Sequence, residues 1–144
     1  MLAEMTTPTT ESPLTGRCAC GAVRFSVAAP FESARYCHCR NCQRRTGTSS
    51  SPNARVAADA FAILQGEQQL RRWEPEGGQA KWYCADCGGH IFSRPEGGEH
   101  VYVRMGALDA DPGIRPEYRQ WVSSAVAWET IPDDGLPRFA GPGA

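Results

Sequence analysis

Nothing in this sequence is apolar for long enough to span a bilayer, which takes about 20 consecutive residues. Met1 to Leu14 lack the basic segment and apolar stretch of a secretory signal. Charge of one sign is not in excess either. Fifteen lysines and arginines face 16 aspartates and glutamates, for a formal net charge of −1 and a pI of about 6.3. That balance supplies no basic field for nucleic acid, so nucleic-acid binding is disfavoured. There is no sustained amphipathic helix and no internal repeat. The chain of 144 residues therefore reads as a single domain with no membrane partner, placed most simply in the cytoplasm.

What the sequence does have is seven cysteines in three groups. Cys37-His38-Cys39-Arg40-Asn41-Cys42 holds three, Cys18-Ala19-Cys20 holds two, and Cys84-Ala85-Asp86-Cys87 holds the last two. In an extended segment alternate side chains share a face, so C-x-C turns both sulfurs the same way. C-x-x-C followed by glycine is the knuckle of zinc sites, because glycine accepts the positive φ of the turn. Cys84 to Gly89 has that form. Two pairs would close a four-thiolate structural site, and the remaining three would leave one metal position open. Disulfides fit poorly with an odd cysteine count and no secretory signal. Iron in place of zinc stays open, as does a purely structural role for both sites.

Of the three histidines, His38 lies between two cysteines that share a face, so it points away from their metal and packs behind it. His90 reads as the start of a strand, and His100 as a half-buried strand opener.

The rest of the pattern is β. Val23, Phe25 and Val27 alternate with Ala22, Arg24 and Ser26 as in a half-buried strand. Short strands are predicted through Phe61 to Leu64, Leu70 to Trp73, Ala80 to Cys84, Ile91 to Ser93, His100 to Met105 and Gln120 to Ser124. Gly/Pro-rich turns separate them, which indicates an all-β domain over residues 16–139. Residues 1–15 are expected to form a disordered tail and residues 140–144 a C-terminal tail, with the Pro/Gly-rich composition starting at Asp133.

Zinc held by three thiolates carries a formal charge of −1, which makes it a weak Lewis acid but still able to keep a bound thiol ionised. That donor set favours binding a small thiol for addition to an electrophile. Arg40, Arg44 and Arg45 flank it and either clamp a substrate carboxylate or form a solvated basic loop. Trp82, Tyr83, Trp121 and Trp128 read as core before pocket wall.

Gly16-Arg17-Cys18-Ala19-Cys20-Gly21, the run from Cys37 to Gly47, and Tyr83-Cys84-Ala85-Asp86-Cys87-Gly88 resemble the glutathione-dependent formaldehyde-activating enzymes, a family that also contains the centromere protein V domain. Gly106 to Asp109, and Trp128 ahead of Leu136-Pro137-Arg138-Phe139, match its later half. Gln43 stands where many members carry arginine, and Ala125 near where many carry lysine. The resemblance implies a β-tent of antiparallel strands. It implies a structural zinc on Cys18, Cys20, Cys84 and Cys87, and a catalytic zinc on Cys37, Cys39 and Cys42. The implied reaction joins formaldehyde to glutathione, a carbon–sulfur lyase running in reverse. The alternative function is a non-catalytic zinc module that binds protein or nucleic acid. A redox or metal-buffer protein is a third.

Overall fold

The computed structural model describes residues 7–143. The first six residues of the expected N-terminal tail lie outside the described residues. Ten strands form two sheets. β1 (Leu14–Arg17), β2 (Arg24–Val27) and β5 (Phe61–Gln65) make the smaller, in the order β1-β2-β5. The larger has the order β10-β3-β4-β9-β8-β7-β6. Its strands are β3 (Ser33–Cys37), β4 (Ser51–Ala57), β6 (Leu70–Trp73), β7 (Ala80–Cys84), β8 (His90–Arg94), β9 (His100–Arg104) and β10 (Arg119–Gln120). All pairings are antiparallel except β3 with β10, which is parallel. The all-β expectation holds, with one short helix, α1 (Arg40–Thr46), inside the three-cysteine stretch.

The predicted alternation sets the core. Val23, Phe25 and Val27 are fully buried, and Val56, Ile91, Val101 and Val103 meet them from the larger sheet. Phe61 joins the sheets, with its ring centroid 5.3 Å from Phe25 and 4.8 Å from Phe92. Trp82 stacks on Phe92 at 4.7 Å. Burying a side chain of this size stabilises the fold by about 1.5–3 kcal/mol.

The chain ends depart from expectation. β1 already starts at Leu14, inside the segment read as a tail. The strand expected over Gln120 to Ser124 stops at Gln120, and Val122–Ser124 form a 3-10 turn. The Pro/Gly-rich segment beyond Asp133 is tied down by its backbone. Arg119 N–H donates to Pro137 O and Phe139 N–H to Arg119 O, each at 2.9 Å. No helix among the described residues is long and apolar enough to cross a membrane.

Candidate functional site

Two knuckles face each other across the sheets. Cys18 follows β1 directly, and Gly21 N–H donates to Cys18 O at 3.1 Å to close the first turn. In the second, Gly88 sits at φ 74° and its N–H donates to Cys84 O at 2.7 Å, so the glycine expected after C-x-x-C is used as predicted. Val23 N–H donates to Cys18 Sγ at 3.3 Å and Gly89 N–H to Cys87 Sγ at 3.4 Å. Such N–H groups favour ionised sulfur.

The four sulfurs of Cys18, Cys20, Cys84 and Cys87 lie within 4.8 Å of one another. Cys18 Sγ is 3.7 Å from Cys20 Sγ, and Cys20 Sγ is 3.8 Å from Cys84 Sγ. A tetrahedron with zinc–sulfur bonds of about 2.3 Å has edges of about 3.8 Å, so the set fits a tetrathiolate metal site. All seven cysteines are free thiols, which removes the disulfide alternative.

The second group is Cys37, Cys39 and Cys42, again with sulfurs within 4.8 Å of one another. Cys37 ends β3, held by the ladder to β4, where it faces Ser51. Cys39 is extended (φ −65°, ψ 156°) and caps α1, its sulfur accepting Cys42 N–H at 3.3 Å. The C-x-C half is thus extended as read from spacing, while the third sulfur arrives on the first turn of a helix. Gly47 ends that helix at φ 67°, its N–H donating to Gln43 O at 2.8 Å.

Hydrogen bonds from Cys37 and Cys42 draw the Cys39 thiol down to about 2, while sharing those hydrogen bonds pushes the Cys37 and Cys42 thiols up. Three sulfurs this close do not ionise together unaided, and a dication is the partner that allows it. The donor set therefore suits a thiophilic metal with a fourth position left free.

His38 joins neither cysteine group among the described residues. It is buried, and its Nε2 lies 3.2 Å from Arg119 Nη1. Arg119 in turn donates to Asp134 Oδ2 at 2.9 Å. His90 opens β8 and His100 opens β9, where His100 pairs with Glu32 at 3.0 Å. Neither joins a cysteine group.

A cavity of about 450 Å³ opens over Cys37, Cys39 and Cys42. Four cations line it, Arg35, Arg40, Lys81 and Arg104, with no carboxylate. Arg104 is buried and has no ion-pair partner among the described residues. It donates through Nη1 to Asn53 Oδ1 at 2.8 Å, Tyr102 O at 3.3 Å and Ser93 Oγ at 3.4 Å. Burial pulls its pKa down to about 10, against the opposing pull of Cys42. Burial likewise lowers Lys81, whose Nζ donates to Gln79 O at 3.2 Å.

Of the three arginines flagged beside the cluster, only Arg40 lines this cavity. Arg44 and Arg45 face a neighbouring cavity of about 550 Å³ with Trp73, Tyr83 and His90. Arg35 was missed although it lies two residues before Cys37 on β3, and Lys81 and Arg104 were missed because strand pairing, not sequence proximity, brings them in. Register places Asn53 opposite Arg104 and Lys81 opposite Ser93. Trp82 does pack against the core, but Trp121 and Trp128 are 38% and 70% exposed, contrary to their reading as core. Trp121 lines the thiol cavity.

Fold and site together define a mostly-β domain carrying a closed tetrathiolate cluster and an open trithiolate cluster under a cationic cavity. Residues 13–124 match the family model described as glutathione-dependent formaldehyde-activating enzyme. The chain belongs to that family. It is also 26% identical over 126 residues to a protein of Penicillium rubens named "Putative glutathione-dependent formaldehyde-activating enzyme". The match covers 82% of this chain but 65% of that one, so the chain spans less than two thirds of this relative. A crystal structure of a protein from Rhodobacter sphaeroides shares the fold, with a TM-score of 0.57 at 22% identity, over 87% of this chain and 98% of the other.

Proposed function

We propose that this protein is a zinc-dependent carbon–sulfur lyase or synthase of the glutathione-dependent formaldehyde-activating type. One zinc is held by Cys18, Cys20, Cys84 and Cys87 as a structural clamp. A second is held by Cys37, Cys39 and Cys42, and the cytoplasm, which keeps thiols reduced, suits both. The observation that carries the reading is the trithiolate cluster under a cavity with four cations and no carboxylate. Zinc bound there would supply the charge that keeps a fourth, incoming sulfur ionised near neutral pH.

The chain's own residues do the rest. Arg35, Arg40, Lys81 and Arg104 attract and orient an anionic thiol such as glutathione. The sulfur lone pair then forms a bond to the aldehyde carbon as the C=O π electrons move to oxygen, which takes a proton from water, and the hydroxide left is neutralised by the proton that the thiol gave up on ionising. The product is a hydroxymethyl thioether, and cleavage runs the same steps backwards. With formaldehyde and glutathione, two-dimensional exchange NMR should show zinc-loaded protein accelerating interconversion above the uncatalysed rate. An exchange rate independent of protein concentration would remove the enzymatic reading. It would leave a zinc module that binds without catalysis.

A further inference from the structure

Trp121 is the only non-glycine residue with positive φ among the described residues, at φ 57° and ψ 37°. A bulky side chain rarely adopts this left-handed conformation, and it persists only where neighbours over-determine it. Here the neighbours are a C-terminal strap. Trp121 N–H donates to Gly141 O at 2.8 Å, Val122 N–H to Phe139 O at 2.9 Å, and Ser123 Oγ to Ala140 O at 2.6 Å. Yet 38% of the residue stays exposed, so the indole is no core side chain. It is the one aromatic side chain lining the cavity over Cys37, Cys39 and Cys42. Strain held by backbone bonds and not recovered in the core marks a position kept for contact with a ligand.

We propose that Trp121 is a substrate-contacting, specificity-determining residue. Its indole face stacks on a planar amide arm of the thiol, so the site selects extended, peptide-like thiols over two-carbon ones. This rests on the thiol-site reading above. The cavity of about 450 Å³ leaves a two-carbon thiol far from filling it. Indole faces are well suited to offset stacking on flat groups. The strap fixes the backbone that carries the ring, so the contact surface is set before the ligand arrives.

The test is calorimetric titration of zinc-loaded protein with glutathione and with 2-mercaptoethanol, in wild type, Trp121→Gly and Trp121→Asn. Glycine and asparagine accept φ near 57°, so neither variant adds backbone strain, and the melting temperature of each reads what the part-buried indole contributes to the fold. Glutathione should bind about tenfold more weakly to both variants, the size of one lost aromatic contact. Binding of 2-mercaptoethanol should change by less than about twofold, so that selectivity between the two thiols collapses. Equal weakening of both thiols would make Trp121 a structural residue and overturn the inference. Unchanged glutathione binding would overturn it as well. If wild type binds neither thiol, the thiol-site reading fails first and takes this inference with it.

Discussion

Gln43 offers the sharpest test of how the trithiolate loop is held. The residue follows Cys42 on α1 and is only 5% exposed. Its Nε2 donates to His38 O at 2.7 Å and to Ser124 O at 2.8 Å, and its Oε1 accepts from Arg40 Nη1. One amide thus ties the helix to the backbone between two cysteines and to the turn that follows Trp121. Gln43→Glu keeps the shape and removes both donors, leaving a carboxylate aimed at two carbonyl oxygens. At about 1 kcal/mol net for each lost bond, and more where a buried acceptor is stranded, the cost is about 2–3 kcal/mol. For a chain of this size that lowers the melting temperature by about 5–10 °C. Gln43→Arg keeps donors for both carbonyls and should lose less than half as much. Thermal denaturation of the zinc-loaded proteins, followed by circular dichroism, reads both. A Gln43→Glu protein melting within about 1 °C of wild type would refute the bridging role.

Three further outcomes follow from the same structure. Cys84 is both a sulfur of the tetrathiolate and fully buried in the core, so Cys84→Ser should remove one metal per chain and the native near-UV circular dichroism with it. Structural zinc contributes about 10–16 kcal/mol in small fingers, as much as a whole domain's stability; a Cys84→Ser protein with native near-UV signal would contradict this. Ile91→Ala empties a fully buried position between the sheets and should cost about 2–5 kcal/mol by urea unfolding, with an unchanged slope. Asp134 accepts from Arg119 and from Leu136 N–H, which hold its carboxyl below the usual carboxylate range. Its contribution is therefore present above the unfolded value of about 3.9 and is lost as pH falls through the lower folded value. Asp134→Asn should flatten that part of the acid limb, and an identical acid transition would show the pair to be inert.

The parts of this molecule that sequence made legible are those fixed by local spacing. Spacing showed which cysteines group together, C-x-x-C before glycine as a knuckle and Cys37-x-Cys39 as an extended pair, although Cys18 and Cys20 meet through a turn and not, as expected, through an extended segment. Val23, Phe25 and Val27 announced a half-buried strand by alternation alone. What stayed hidden depends on partners far away in the chain. Lys81 and Arg104 look like ordinary strand-surface charges until β7, β8, β9 and β4 pair and turn them into the cavity. Helix α1 has seven residues, too few for a helical period to show, and its first cap is a cysteine. The Pro/Gly-rich end was read as a tail by composition, yet it bonds through backbone groups that composition does not report. Trp121 was read as core before pocket wall, yet it has a left-handed backbone and lines the cavity.

The measurement closest to the central claim is zinc content by elemental analysis, joined to zinc-edge X-ray absorption with and without glutathione. Seven sulfurs shared by two ions predict two zincs per chain and about 3.5 sulfur neighbours for each, rising to about 4 when glutathione fills the open position. One zinc per chain, or two whose sulfur count ignores glutathione, would contradict the open trithiolate site on which the functional reading stands.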